Sequence, residues 1–386
     1  MKILIYQHQY PAFGGIETVT TLLARQFSAD GHRVRIVSVH ARSGTKQLEQ
    51  LPPDTWHLLP SENIDAEENF GALKDELKSF SPDVILFQDS YAPIEGILFR
   101  ALRASNCHAP VVVCEHNSPL YWWYGQAKRP WTLRGIAFRL YRPVFYLREY
   151  LRQRRRRQFL MTHAARYVVL AQAYVSQIRL LVGSELSARV SVVYNPVPPQ
   201  TDLTVATKEK ILLFVGSLIA RKGVRRIIAA WAQLESRQKE WRLEIVGDGP
   251  LRTELEEDVR RRGLKRVTFA GHQANTESYY RRASILAVAS DFEGWPMVIG
   301  EAMQAGCVPV VYDSFAAASE MIEAPVSGRV VRHYDQMTYV AALDDLMADP
   351  VKREKISDRA RTKVQTYALG RVADEWYSLF CEVGKK

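Results

Sequence analysis

Short apolar runs rich in β-branched residues alternate along this chain with longer stretches whose apolar positions recur every three or four residues. Ile3–Tyr6, Val34–Val37, Val84–Phe87, Val111–Cys114 and Tyr167–Leu170 are too short for helices and have the composition of buried strands. Glu17–Asp30 and Gly71–Phe80, between them, have helical periodicity. Strand, helix and strand in repetition predict βαβ units, and so a parallel sheet covered on both faces.

The alternation pauses at Tyr194-Asn195-Pro196-Val197-Pro198-Pro199, where the prolines exclude sheet and helix interior alike. It restarts with Ile211–Val215, Leu243–Val246, Val267–Ala270, Ile285–Ala289 and Val308–Val311. The economical reading is an α/β protein of two similar doubly wound halves, residues 1–195 and 196–370, with a terminal segment 371–386. In that segment Val372–Phe380 reads as an amphipathic helix. A length of 386 residues agrees with two or three domains at about 150 residues each. Two such domains are expected to face each other across a cleft at the carboxyl ends of their strands, where open α/β sheets bind ligands.

Composition narrows the class. Hydrophobic residues make up 47% and charged residues 24%, ordinary for a globular protein. The net charge of +10 is local: residues 119–160 hold eleven basic residues and one acid, Glu149, and the rest of the chain balances. That excludes a polycation, a disordered tail and a fibre. Four scattered cysteines without a C-x-x-C pair fit a reducing compartment better than a disulfide framework or a zinc site. With no long apolar stretch and no signal-like start, export and membrane spanning are not expected, and the expected location is cytoplasmic.

The loops after the strands carry the candidate chemistry. Asp291-Phe292-Glu293-Gly294-Trp295-Pro296-Met297-Val298 follows a strand and leads into a helix containing Glu301. Pro296 suits a helix start, and the free N–H groups of Met297 and Val298 make a ready site for phosphate oxygens. Glu293 and Glu301 either hydrogen-bond sugar hydroxyls or complement the helix dipole. Arg221 and Lys222 lie in the loop after Ile211–Val215, as cations for an anionic ligand or as a solvated loop. Gly14-Gly15, after the first strand, permits close backbone approach to a ligand or simply makes a turn. His116, after Val111–Cys114, is structural or catalytic. Asp248 reads as a turn residue.

Glu293 to Met303, continued by Gly306-Cys307-Val308-Pro309-Val310-Val311, resembles the glutamate–seven–glutamate region of family 4 glycosyltransferases. Phe13-Gly14-Gly15-Ile16-Glu17, Glu115-His116-Asn117, Tyr194-Asn195-Pro196-Val197, Val215-Gly216-Ser217 with Arg221-Lys222-Gly223, and Val246-Gly247-Asp248-Gly249-Pro250 fall in the family's order. The resemblance implies a GT-B fold and a retaining hexosyltransferase of the lipopolysaccharide, capsule or O-antigen type. It also implies a nucleotide-sugar donor, with UDP the expected nucleotide, no metal and no cofactor. Residue by residue, it implies that Glu293 contacts the transferred hexose and Glu301 the ribose. Lys222 and Arg221 would hold the diphosphate, Gly14 and Gly15 close over it, and His116 contact the hexose. Many members carry an arginine directly after the glycine of the Val215 strand. Ser217 stands there in this chain, so Arg221 would supply the missing guanidinium. The terminal helix is expected to cross back onto the N-terminal domain.

Residues 119–160 are also rich in rings, Trp122 and Trp123 among them, and Pro143 is expected to divide them into two helices. Leu147, Tyr150 and Leu151 share one helical face, and Arg148, Arg152 and Arg155 another. Three readings fit: an anionic membrane surface bound through Trp122, Trp123, Arg148, Arg152 and Arg154–Arg157, a single-stranded nucleic-acid groove, or a solvated helix face. The resemblance favours the membrane and a lipid-linked or lipopolysaccharide glycan acceptor, with the enzyme peripheral on the inner membrane face. The rival functions are a nucleic-acid-binding protein on a degenerate GT-B body, and a sugar epimerase or phosphorylase.

Overall fold

The computed structural model describes residues 1–44, 47–89, 93–124, 133–200 and 207–385. The chain divides into two compact units, one of residues 1–196 with 369–386, the other of residues 197–368.

The first unit is built on a seven-stranded parallel sheet. Its strands are β1 (Lys2–Gln9), β2 (Arg33–His40), β3 (Trp56–Leu58), β4 (Val84–Asp89), β5 (Val111–Glu115), β6 (Arg166–Val169) and β7 (Val190–Val192). They lie in the order β3-β2-β1-β4-β5-β6-β7. The second unit has β8 (Glu209–Val215), β9 (Arg242–Val246), β10 (Val267–Gly271), β11 (Ala283–Val288), β12 (Val308–Tyr312) and β13 (Arg329–Val331), in the order β10-β9-β8-β11-β12-β13. In both, strand order reverses beside the first strand, between β1 and β4 and between β8 and β11. Those are the switch points of a doubly wound fold.

Helices cover both faces of each sheet, so central strands are apolar on both sides. Ile3, Leu4, Ile5 and Tyr6 of β1 are all fully buried, in register with Val84–Phe87 of β4. The second core is centred on Trp231, Leu212, Leu243, Ile285, Val310 and Leu343. The C-terminal helix Leu369–Gly384 belongs to the first unit, where Phe380 meets Phe27 and Tyr377 stacks on His32.

The basic segment departs from expectation at Pro143. One helix, Leu133–His163, runs through that proline. Pro143 and its neighbours Arg142 and Val144 are exposed, so the ring displaces no packed neighbour and the helix continues with the loss of one backbone hydrogen bond. No helix among the described residues is long and apolar enough to cross a membrane.

Candidate functional site

The second sheet's switch point is lined by the loops after β8 and β11. The β8 loop turns through a short 3-10 helix, Ala220–Lys222, into Gly223 with φ +69°. A Cβ at Gly223 would strike the carbonyl of Ala289, so only glycine lets the two loops approach this closely. They are then laced together by Asp291 N–H donating to the Arg221 carbonyl at 2.7 Å.

Glu293 sits at the centre and is buried. Lys222 Nζ donates to its Oε1 at 2.6 Å, Ser290 Oγ to the same oxygen at 2.7 Å, and Arg221 to Oε2 at 3.1 Å. Burial pushes its carboxyl up. The Lys222 and Arg221 charges, with the hydrogen bonds from Lys222 and Ser290, outweigh that and hold it below the usual carboxylate range. Arg221 also donates to the Phe292 carbonyl and lies over the Phe292 ring. One buried carboxylate thus carries two part-exposed cations, leaving local positive charge for an anionic ligand.

Pro296 caps the helix Met297–Gln304, one residue before the first-turn position expected for it. The N–H groups of Met297 and Val298 head that helix, among the first four donors that have no intrahelical acceptor. Glu301 lies one turn in. Its carboxyl is pushed up by burial, partly opposed by the adjacent Tyr280 hydroxyl. Val197 packs against Gly300, tying the residue after Pro196 to this helix. At the far end Lys208 Nζ donates to the carbonyls of Ala305 and Tyr280, a cation at the negative end of the helix.

Several site residues escape sequence reasoning. Arg226 donates to Asp291 Oδ1 at 2.7 Å and to the Ala289 carbonyl. The Tyr334 hydroxyl reaches the same Asp291 oxygen at 3.0 Å. Ser314 Oγ holds the Ser290 carbonyl at 2.6 Å. One signal for Arg226 was available: it is a cation in the first turn of the helix Val224–Leu234, where the macrodipole disfavours it. Asp248 caps its own turn through Gly249 N–H and pairs with Arg252.

In the first unit, His116 follows β5 and is buried, with Nε2 hydrogen-bonded to Gln88 Oε1 from β4. Its Nδ1 and the Gln88 amide nitrogen have no hydrogen-bond partner among the described residues. Burial depresses the imidazole to about 3, so it is neutral at ordinary pH. Gly14 precedes and Gly15 begins the helix Gly15–Ala29, both exposed. The Glu17 carboxylate is folded over Gly14, and burial pushes its carboxyl up.

The basic helix is sorted more finely than its sequence. Arg148, Arg152, Arg154 and Arg155 are exposed, beside exposed Val144, Leu147 and Leu151, and Trp123 is half-exposed. Three of the expected membrane contacts face inward instead. Trp122 is buried against Tyr146, Arg156 pairs in bidentate fashion with Glu95, and Arg157 is 3% exposed and paired with Glu115. An inward stripe of Tyr146, Gln153, Arg157, Leu160 and Ala164 recurs at helical spacing, and Glu115 supplies the counter-charge that makes a buried arginine tolerable. Lys128, Arg129 and Trp131 lie outside the described residues, as do the side chains of Tyr124, Arg134, Phe138 and Arg139.

Two family models match the chain in succession: Glycosyltransferase Family 4 over residues 13–201 and Glycosyl transferases group 1 over residues 200–363. A Campylobacter jejuni enzyme is 24% identical over 96% of both chains. It is the GalNAc-alpha-(1->4)-GalNAc-alpha-(1->3)-diNAcBac-PP-undecaprenol alpha-1,4-N-acetyl-D-galactosaminyltransferase. The alpha-D-kanosaminyltransferase of Streptomyces kanamyceticus is 30% identical over 45% of this chain and 46% of its own. Among solved structures, the lipopolysaccharide outer core galactosyltransferase WaaB superposes with a TM-score of 0.71 at 20% identity, covering 99% of this chain and 100% of its own. Anabaena Alr3699/HepE in complex with UDP gives 0.74 at 18% identity, with the same coverage. The models cover both halves in order, and the protein belongs to the family 4 glycosyltransferases of the GT-B fold.

Proposed function

We propose that this protein is a retaining, metal-independent transferase that moves a hexose or N-acetylhexosamine from a UDP-sugar to a lipid-linked or lipopolysaccharide glycan, needing no cofactor. One observation carries the reading: the buried Glu293 carboxylate, clamped by Lys222 and Arg221 beside the helix start at Met297 and Val298, at the switch point of the second sheet. The cations and the helix N–H groups stabilise the diphosphate as the bond from sugar C1 to phosphate oxygen breaks. The acceptor hydroxyl oxygen bonds to C1, and its proton passes to the departing phosphate oxygen. Glu293 holds donor hydroxyls, Glu301 holds the ribose, Gly14 and Gly15 close over the diphosphate, and neutral His116 contacts the hexose. The protein's part is positioning and electrostatics.

For the acceptor, the Campylobacter enzyme's name specifies an undecaprenol-linked glycan and WaaB's a lipopolysaccharide core. The outward face of the basic helix, with Arg148, Arg152, Arg154, Arg155 and Trp123, supports peripheral binding to the anionic inner face of the cytoplasmic membrane. Membership of the family favours this reading over a nucleic-acid-binding protein.

The test is UDP release from UDP-glucose, UDP-N-acetylglucosamine, UDP-galactose and UDP-N-acetylgalactosamine, with a lipid-linked glycan acceptor, by the natural protein and by Glu293→Ala. Turnover of one donor, abolished by the substitution, is expected. No turnover of any donor, or equal turnover by both proteins, overturns the proposal.

A further inference from the structure

Arg157 reaches from the last turns of the basic helix into the chain around His116. Its Nε donates to Glu115 Oε2 at 3.2 Å, and one terminal nitrogen contacts Glu115 Oε1 and the Pro119 carbonyl, the latter at 3.2 Å. The other terminal nitrogen donates to Gln153 Oε1 at 2.7 Å. The Tyr167 hydroxyl adds a 2.7 Å bond to Glu115 Oε2. Arg157, Glu115, Gln153 and Tyr167 are all buried. A guanidinium with fixed planar donors thus grips the chain one residue before His116 and three residues after it.

What the grip holds is unusual. His116 has a buried ring nitrogen with no hydrogen-bond partner among the described residues, and its other nitrogen meets Gln88. Leaving a buried polar atom unmatched costs stability, so such an arrangement persists only where its surroundings impose it. Local chain geometry does not impose it, since β5 ends at Glu115 and helix resumes only at Tyr121. Arg157 lies forty-two residues from Glu115 in sequence and spans that open segment from outside.

We propose that Arg157 is a positioning residue for His116: by bracketing residues 115–119 it keeps the imidazole in one orientation and one tautomer, with Nε2–H on Gln88 and the Nδ1 lone pair free for a donor-sugar hydroxyl. The last element rests on the function proposed above, whereas the orientation of His116 does not. Arg157 touches no substrate and acts through the chain that carries His116.

The test uses the full-length chain with ¹⁵N-labelled histidine, the His116 signals being assigned with His116→Gln. The natural protein is expected to show one Nε2–H tautomer. Arg157→Met is expected to shift the His116 signals and populate the second tautomer, and Arg157→Lys to restore part of the original pattern. Should Arg157→Met fail to fold, the pair Arg157→Met with Glu115→Gln removes both buried charges together and takes its place. UDP release from the donor found active is expected to show kcat down by about 10- to 100-fold, with KM for the nucleotide sugar unchanged. A role confined to anchoring the basic helix would leave the His116 signals where they were. Natural-like His116 signals in a folded variant lacking Arg157 overturn the proposal. Absence of turnover with every donor overturns the proposed function and leaves the imidazole result standing on its own.

Discussion

The two units share a topology and use it with opposite electrostatics. At the strand ends of the second, charge is concentrated: Glu293 with Lys222 and Arg221, and Asp291 with Arg226. Near the strand ends of the first, Gln7 is bonded to Thr20 and to the Gln9 carbonyl, Gln88 faces an uncharged His116, and the Glu115 carboxylate that ends β5 is buried against Arg157 and faces no free cation among the described residues. The first unit's excess of cations lies on the basic helix, where Arg148, Arg154 and Arg155 are exposed, Arg152 pairs with Glu149, and Arg157 and Arg156 pair with Glu115 and Glu95. A parallel sheet supplies the same crevice in each case. The side chains at its rim decide whether that crevice suits an anion or a neutral polyol.

The contrast is open to attack in decreasing order of effect. Lys222→Met removes one of the two cations on Glu293, and UDP release should fall about 10²–10³-fold. A fall below tenfold in steady-state kinetics would show that the charge cluster is not tuned to a departing anion. Replacing Arg154 and Arg155 together with Ser removes about 1 kcal/mol of membrane attraction apiece. Partitioning onto anionic liposomes should weaken roughly 30-fold in co-sedimentation. Arg156→Ser and Arg157→Ser should instead lower the melting temperature, because they break internal pairs.

Acid sensitivity separates the units further. The folded-state value of His116, about 3, lies below its ordinary 6.5. The unfolded chain therefore binds the extra proton between those limits. The stability due to neutral His116 is complete above pH 6.5 and is lost as pH falls towards 3, by up to about 1.4 kcal/mol per pH unit. Urea titrations at several pH values should show this slope in the natural protein and its absence in His116→Gln. The smallest effect is expected from Ser314→Ala, which frees the Ser290 carbonyl and should cost about 1 kcal/mol in urea unfolding.

The central strands are legible in the sequence because both of their faces are buried, which writes them as apolar runs such as Ile3–Tyr6 and Val308–Val311. β3, β7 and β13 are not legible. Each is a three-residue edge strand only partly buried, so Trp56-His57-Leu58 and Val190-Ser191-Val192 carry no apolar run. In the site, Glu293 and the helix start at Met297 could be read because a strand end, a loop and a helix cap are neighbours in the chain. The cationic partners of Glu293 come from a loop about seventy residues away, and those of Asp291 include positions 226 and 334, so this pairing was beyond any local pattern.

The sequence alone determined the two parallel-sheet halves, the proline-rich junction, the Glu293–Met303 motif and the location of the charge excess, because each depends on periodicity or on neighbours in the chain. Tertiary structure decided which charges face inward. Arg154 and Arg157 differ by three positions in one run of arginines, yet one meets solvent and the other Glu115. Burying a charge depends on a counter-charge brought there by folding.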